Sequence, residues 1–187
     1  MAILPIVTYN DPVLLKKAEP LDGLTPDLER FIEDLFETMY GADGVGLAAP
    51  QVGKSIRVFV MNADLMADED DEDAVLLGDR VFINPEIIES SDEKVSFQEG
   101  CLSLPGLLDE VIRPDRIRIR YKDETFQDQE LELDGWNSRV VQHELDHLDG
   151  VLFIDRISAF KRAFHRSLLQ KIDEGSASAS YPLVPKS

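Results

Sequence analysis

His143 and His147 stand four residues apart in a chain that holds only three histidines. On an α-helix such a pair shares one face, one turn apart. The string His143-Glu144-Leu145-Asp146-His147 is an H-E-x-x-H pattern, in which two imidazoles face one metal ion and the glutamate stands as general base for a water. A catalytic ion of this kind needs a third protein ligand and an open position. The fold must therefore bring a residue from elsewhere in the chain onto this helix.

Candidates for that residue are few. His165 lies among Lys161, Arg162 and Arg166 and reads as a solvated side chain. The downstream Gly and third His of extended zincin signatures are absent, since LDGVLFIDRIS follows instead. Asp146 and Asp149 would complete a closed structural site only if they turned inward, and both read as surface charges of the helix. Cys101 remains. It is the single cysteine, so no intrachain disulfide forms, and a lone intracellular Cys is either a small buried hydrophobe or a nucleophile or ligand. It sits in FQEGCLSLPGLLDE, after an expected strand and before the Pro105-Gly106 turn. A thiolate with two imidazoles is a strong set for a divalent ion.

The rest of the chain reads as an α+β domain over residues 1–174, followed by a flexible small-residue tail over 175–187. A helix is predicted in TPDLERFIEDLFETMYG, with Thr25 as cap, Pro26 at its first position and Leu28, Phe31, Ile32, Leu35 and Met39 at helical spacing. IRVFVMN, RVFINPEII, KVSFQ, RIRIRYKD and TFQDQELELDG read as strands, RIRIRY with the alternation of a half-buried antiparallel strand. WNSRVVQHELDHL is the histidine helix, and DRISAFKRAFHRSLLQKIDEG reads as one final helix. The expected architecture is antiparallel or mixed sheets packed around the H-E-x-x-H helix, with an N-terminal and a C-terminal helix beside them.

Composition narrows the function. The net charge of −18 repels nucleic acid at long range, so no DNA partner is expected. The acidic excess, with Arg outnumbering Lys, suits a salty cytoplasm. No apolar run approaches the roughly 20 residues of a membrane span, and MAILPIVTYNDP lacks the basic start of a signal peptide. A cytoplasmic monomer is the expectation. The Gly-rich loop GADGVGLAAPQVGK contains neither GxxxxGK[ST] nor GxGxxG, so it gives no phosphate-binding signature.

GVGLAAPQVG (Gly44 to Gly53), EGCLSLPG (Glu99 to Gly106) and QHELDHLDG (Gln142 to Gly150) together resemble, in order and separation, the motifs of the peptide deformylase family. The resemblance runs from ILPIV near the N-terminus to about Ser158. It implies a hydrolase that removes the formyl group from the N-terminal formyl-methionine of nascent polypeptides. It implies Cys101, His143 and His147 as metal ligands, Glu144 as the proton carrier, and the Gln51 side chain and Leu102 N–H as oxyanion donors. It further implies Val45, Gly46, Glu99 and Trp136 on the substrate side, with the Val45-Gly46 segment pairing with an extended peptide. Fe²⁺ is the family's usual ion, and Zn²⁺, Ni²⁺ or Co²⁺ suit the same ligands.

This chain departs from the family pattern at Trp136, where Leu is usual; the indole either narrows the methionine pocket or covers its rim. Arg139 stands where the family has an apolar or basic residue. The acidic stretch from Ala63 to Asp79 is longer than in many relatives and reads as a solvated loop. Lys161, Arg162, Arg166 and Lys171 give the last helix a basic face, suited equally to ribosome docking, as in some bacterial deformylases, and to plain helix packing. A metallopeptidase using H-E-x-x-H and a non-enzymatic metal module are the rival readings. The first lacks a downstream ligand motif, and the second lacks a well-placed fourth ligand.

Overall fold

Val58–Met61 is buried along its whole length, and its alternation assigns both sides of a sheet. The structure, a computed structural model, describes residues 2–67 and 75–186. Among these, a five-stranded antiparallel sheet runs in the order β1 (Gly46–Ala48), β2 (Val58–Met61), β3 (Arg80–Ser90), β6 (Ile117–Lys122), β7 (Asp128–Leu133). A separate two-stranded sheet pairs β4 (Lys94–Gly100) with β5 (Leu108–Pro114). Four helices complete the fold: α1 (Pro26–Gly41), α2 (Gly135–Leu148), α3 (Ala159–Phe164) and α4 (Arg166–Asp173). The class is α+β, as expected.

Successive side chains of a strand point to opposite faces. Val58 and Val60, with Val81 and Ile83 of β3, join Leu28, Phe31, Leu35 and Met39 of α1 in one cluster. Phe59 and Met61, with Phe82, join Val141, Leu145 and Leu148 of α2 in another. The rings of Phe59 and Phe82 stack at 4.8 Å, and Phe82 meets Tyr121 at 4.3 Å. The sheet is thus held between α1 and α2, and the histidine helix is the element that the core encloses. Thr25 caps α1 by accepting from the Leu28 N–H at 3.2 Å.

The β4–β5 hairpin docks across α2 through side chains. Arg139 donates to the carbonyls of Val111 and Val95, both at 2.8 Å, and Gln142 donates to that of Pro114 at 2.9 Å. β5 was not among the expected strands, because its alternation is inverted: Leu108 and Ile112 are exposed while Arg113 is buried.

Three other expectations are corrected. The final helix is two helices. Ser158 caps α3, and at His165 the N–H bonds to the Arg162 carbonyl while the ring pairs with Asp109 Oδ2 at 2.7 Å. That pairing, joined by Lys161 on Asp109 Oδ1 at 2.9 Å, turns the chain so that Leu169 and Ile172 of α4 reach the cluster around Leu107, Val111 and Phe153. His165 is therefore a hydrogen-bond partner of Asp109 rather than a solvated ring. The residues after 175, expected to hang free, fold back on the N-terminal segment: Ile6 N–H donates to the Pro182 carbonyl and Val184 N–H to that of Ile6. Leu183, Tyr181 and Ala177 supply the apolar anchorage that the small-residue composition conceals. Of the acidic stretch, residues 68–74 lie outside the described residues; its flanks are tied down by Asp64, whose carboxylate accepts from the Leu77 and Gly78 N–H groups.

The β6–β7 turn supplies a stability prediction. Asp123 accepts from the Thr125 and Gln127 N–H groups, the Thr125 hydroxyl and the Gln129 amide. Its slight burial pushes its pKa upward, but these hydrogen bonds outweigh that and hold it at about 2. A depressed carboxyl contributes stability above its unfolded value of about 3.9 and loses that contribution as pH falls through its folded value. Asp123→Ala should cost about 1 kcal/mol at neutral pH, after allowance for solvent screening. The difference from the parent should shrink as pH falls from about 4 toward 2, as read by denaturant unfolding at each pH.

Candidate active site

Glu99 sits one residue before the end of β4, and Cys101 follows that strand directly. The Glu99 carboxylate is buried and fully engaged. Arg113 donates to it twice, at 2.7 and 2.9 Å, Arg139 once at 2.8 Å, and His143 Nδ1 once at 2.8 Å. Burial alone pushes this carboxyl up, yet the bonds from His143 and Arg113 prevail and keep it well below the usual range. An ionised carboxylate only accepts, so His143 carries its proton on Nδ1 and leaves Nε2 for a metal. Burial lowers the basicity of His147, which favours the neutral ring that ligation requires.

The structure brings the three expected ligands together. One ligand atom from each of Cys101, His143 and His147 lies within 4.8 Å of the others. Cys101 Sγ is 3.2 Å from His147 Nε2. Sulfur and nitrogen ligands on a tetrahedral ion stand about 3.5 Å apart, so the set fits a divalent ion with little adjustment. Neither alternative fourth ligand is available. Asp146 is buried and accepts from Arg113 at 2.7 Å and from Arg156 twice at 2.5 Å, and Asp149 accepts from Arg57 at 2.8 Å. Cys101 and His143 instead border a cleft of about 450 Å³, so the cluster has an open side.

Glu144 points into the same cleft from α2. Burial raises its carboxyl to about 7, and Oε2 is buried without a hydrogen-bond partner. Gly46 makes the space: a Cβ there would lie 2.5 Å from Glu144 Oε1 and 2.9 Å from Cδ. Gln51 is oriented by its own turn. Ala48 N–H donates to its Oε1 at 2.9 Å, which settles the amide orientation and sends Nε2 toward Ser103 Oγ at 3.4 Å and Cys101 Sγ at 3.6 Å. Leu102 lies on the cleft wall, and β1, which follows Val45, pairs with β2 on one edge only. Trp136 borders the cleft and stacks on Phe97 at 4.5 Å, with the Arg139 guanidinium 5.0 Å from the same ring.

The family model for polypeptide deformylase matches residues 3–163. The peptide deformylase of Salinibacter ruber is 47% identical, over 98% of this chain and 95% of its own, and that of Flavobacterium psychrophilum is 48% identical over 98% of both. The crystal structure of the Ehrlichia chaffeensis peptide deformylase superposes with a TM-score of 0.83 at 38% identity, covering 91% of this chain and 95% of that one. The same enzyme in complex with actinonin gives 0.83 at 37%, covering 95% and 100%. The chain belongs to the polypeptide deformylase family.

Of the residues expected on a deformylase substrate face, Val45, Gly46, Glu99 and Trp136 all border the cleft, and the Glu99 carboxylate is also engaged by His143 and two arginines. Arg113, Asp146 and Arg156 were missed. Asp146 carried the pattern of a surface charge, and only its partner on β5 reveals otherwise. Met66, from the acidic stretch, reaches the cleft as well, and so does Tyr181 of the C-terminal segment.

The Gly46 contact yields a prediction. Gly46→Ala should displace the Glu144 carboxylate and lower kcat/KM on a formyl-Met peptide by about 100-fold. Metal content by elemental analysis should remain at the parent value, since the ligands lie beyond the new methyl.

Proposed function

We propose the following division of labour in the family's reaction, removal of the N-terminal formyl group from nascent polypeptides, which this chain catalyses as a metal-dependent hydrolase. Cys101, His143 and His147 would hold a divalent ion, which would supply the Lewis acidity for activating a water and polarising the formyl carbonyl. Glu144 takes a proton from the attacking water and delivers it to the departing amine. The Gln51 amide and the Leu102 N–H donate to the oxygen on which negative charge develops. The free edge of β1, with Val45 and Gly46, receives the peptide as an added strand, a pairing blind to side-chain identity and so suited to many different chains. Trp136, fixed against Phe97, walls the pocket for the methionine side chain. Glu99 orients His143 from the wall of the same cleft. Fe²⁺ is the proposed physiological ion, with Zn²⁺, Ni²⁺ or Co²⁺ able to replace it.

The observation that carries this reading is the Gln51 amide, locked by the Ala48 N–H with its nitrogen facing the Cys/His/His cluster. The test is formate release from formyl-Met-Ala-Ser by anaerobically purified protein, with metal analysis of the same sample. Glu144→Gln should retain metal and lose at least about 100-fold in kcat, and Gln51→Ala should lose about 100- to 1000-fold. A Glu144→Gln protein with full metal and full activity would sink the scheme.

We also propose a cytoplasmic monomer whose basic C-terminal face meets the ribosome. No described helix is long and apolar enough to cross a membrane. Lys161 is engaged by Asp109 and Arg162 by Asp155, while Phe160 and Phe164 form an exposed edge-to-face pair beside them. Reversing Arg162, Arg166 and Lys171 to Glu should abolish co-sedimentation with ribosomes and leave formyl-peptide hydrolysis intact. Undiminished co-sedimentation would exclude docking through this face.

A further inference from the structure

The C-terminal segment after α4 returns across the N-terminal residues and meets the catalytic turn through Tyr181. Its anchorage is dense. Ile6 exchanges backbone bonds with Pro182 and Val184, and Lys186 Nζ donates to the carbonyls of Thr8 at 3.3 Å and Tyr9 at 2.5 Å. The N-terminal strip that it grips is itself bonded to both turns of the site. Val7 N–H donates to the Gln51 carbonyl at 2.9 Å, and Tyr9 N–H to the Ser103 carbonyl at 3.1 Å. One side chain of the segment goes further. Tyr181 donates its hydroxyl to the Leu102 carbonyl at 2.8 Å, packs in the same apolar cluster as Leu102 and borders the cleft.

We propose that Tyr181 is a positioning residue for the hydrolysis, its hydroxyl holding Leu102 by the carbonyl so that the N–H of the same residue keeps a fixed direction toward the cleft. The inference rests on the deformylation reading above and deepens it. The N–H and C=O of one residue are linked by two soft dihedrals only. The turn after Cys101 belongs to no strand, so its dihedrals need outside support. The Tyr9 N–H restrains the next carbonyl, that of Ser103, and Tyr181 restrains that of Leu102. Oxyanion donors act through being fixed before charge develops. A Leu102 that rocks would bind substrate as before and stabilise the transition state less, which places the effect on kcat rather than KM.

The test compares Tyr181→Phe with the parent, both as the full zinc-loaded chain. Phe keeps the ring packing and removes the one hydrogen bond. The kcat on formyl-Met-Ala-Ser should fall about 10-fold, less than the loss of a whole donor, with KM within about twofold. Amide hydrogen exchange at Leu102, followed by NMR, should quicken about 10-fold, with bound zinc and Tm at parent values. Unchanged kcat, unchanged exchange at Leu102, or a loss of kcat that tracks loss of zinc would each overturn the proposal. If the parent releases no formate, the reaction assigned to the site fails. The exchange rate at Leu102 then decides alone whether Tyr181 holds the turn.

Discussion

A single buried carboxylate, that of Glu99, joins the two halves of the site. It accepts from Arg113 on its partner strand, from Arg139 one turn before the ligands on α2, and from His143 itself. Arg113 then reaches Asp146 of the same helix, which also holds Arg156. An unpaired charge at such depth costs several kcal/mol, so the chain gains from this network only when every member is in register. Shifting β4 by one residue would turn Glu99 outward and strand two buried arginines. Cys101, two residues beyond Glu99, therefore arrives at the histidines because the carboxylate before it has no other low-energy place to be.

The remaining functional groups are set by backbone rather than by charge. Gln51 is aimed by the Ala48 N–H within its own turn, and Glu144 is admitted by the missing side chain at Gly46. Leu102 and Ser103 are held from outside by the chain termini. Groups that act on developing charge gain most from being fixed beforehand, and here each is fixed by a hydrogen bond or a steric limit that leaves it one orientation. The exposed segments differ in kind. The α3 aromatics carry no such constraint, and partner contacts can vary there without disturbing the chemistry.

Much of this was legible in the residues. Period and caps gave α1 and α2 because their apolar faces meet a continuous core, where propensity and packing agree. β2, β3 and β6 followed for the same reason. β5 did not, since its inward residue Arg113 is charged and its outward residues Leu108 and Ile112 are apolar. Asp146 read as a surface charge because its cations lie on β5 and beyond α2. His165 and the C-terminal segment failed likewise. Asp109 breaks the last helix into two, and the docking of Tyr181, Pro182 and Val184 on residues 6–9 and Leu102 depends on chain far away in sequence.

The sequence by itself determined the donor chemistry: two imidazoles one helical turn apart, a carboxylate beside the first, a lone thiol, and a glycine-rich turn carrying an amide. Those are local facts of residue type and spacing. Only the tertiary structure decided which atoms face one another. It chose His143 Nε2 over Nδ1 by placing Glu99 against the latter, turned Asp146 from solvent into the core, and set Tyr181 of the C-terminal segment against the catalytic turn. The reason is that desolvation and hydrogen-bond satisfaction depend on neighbours brought from distant parts of the chain, and no window of sequence contains them.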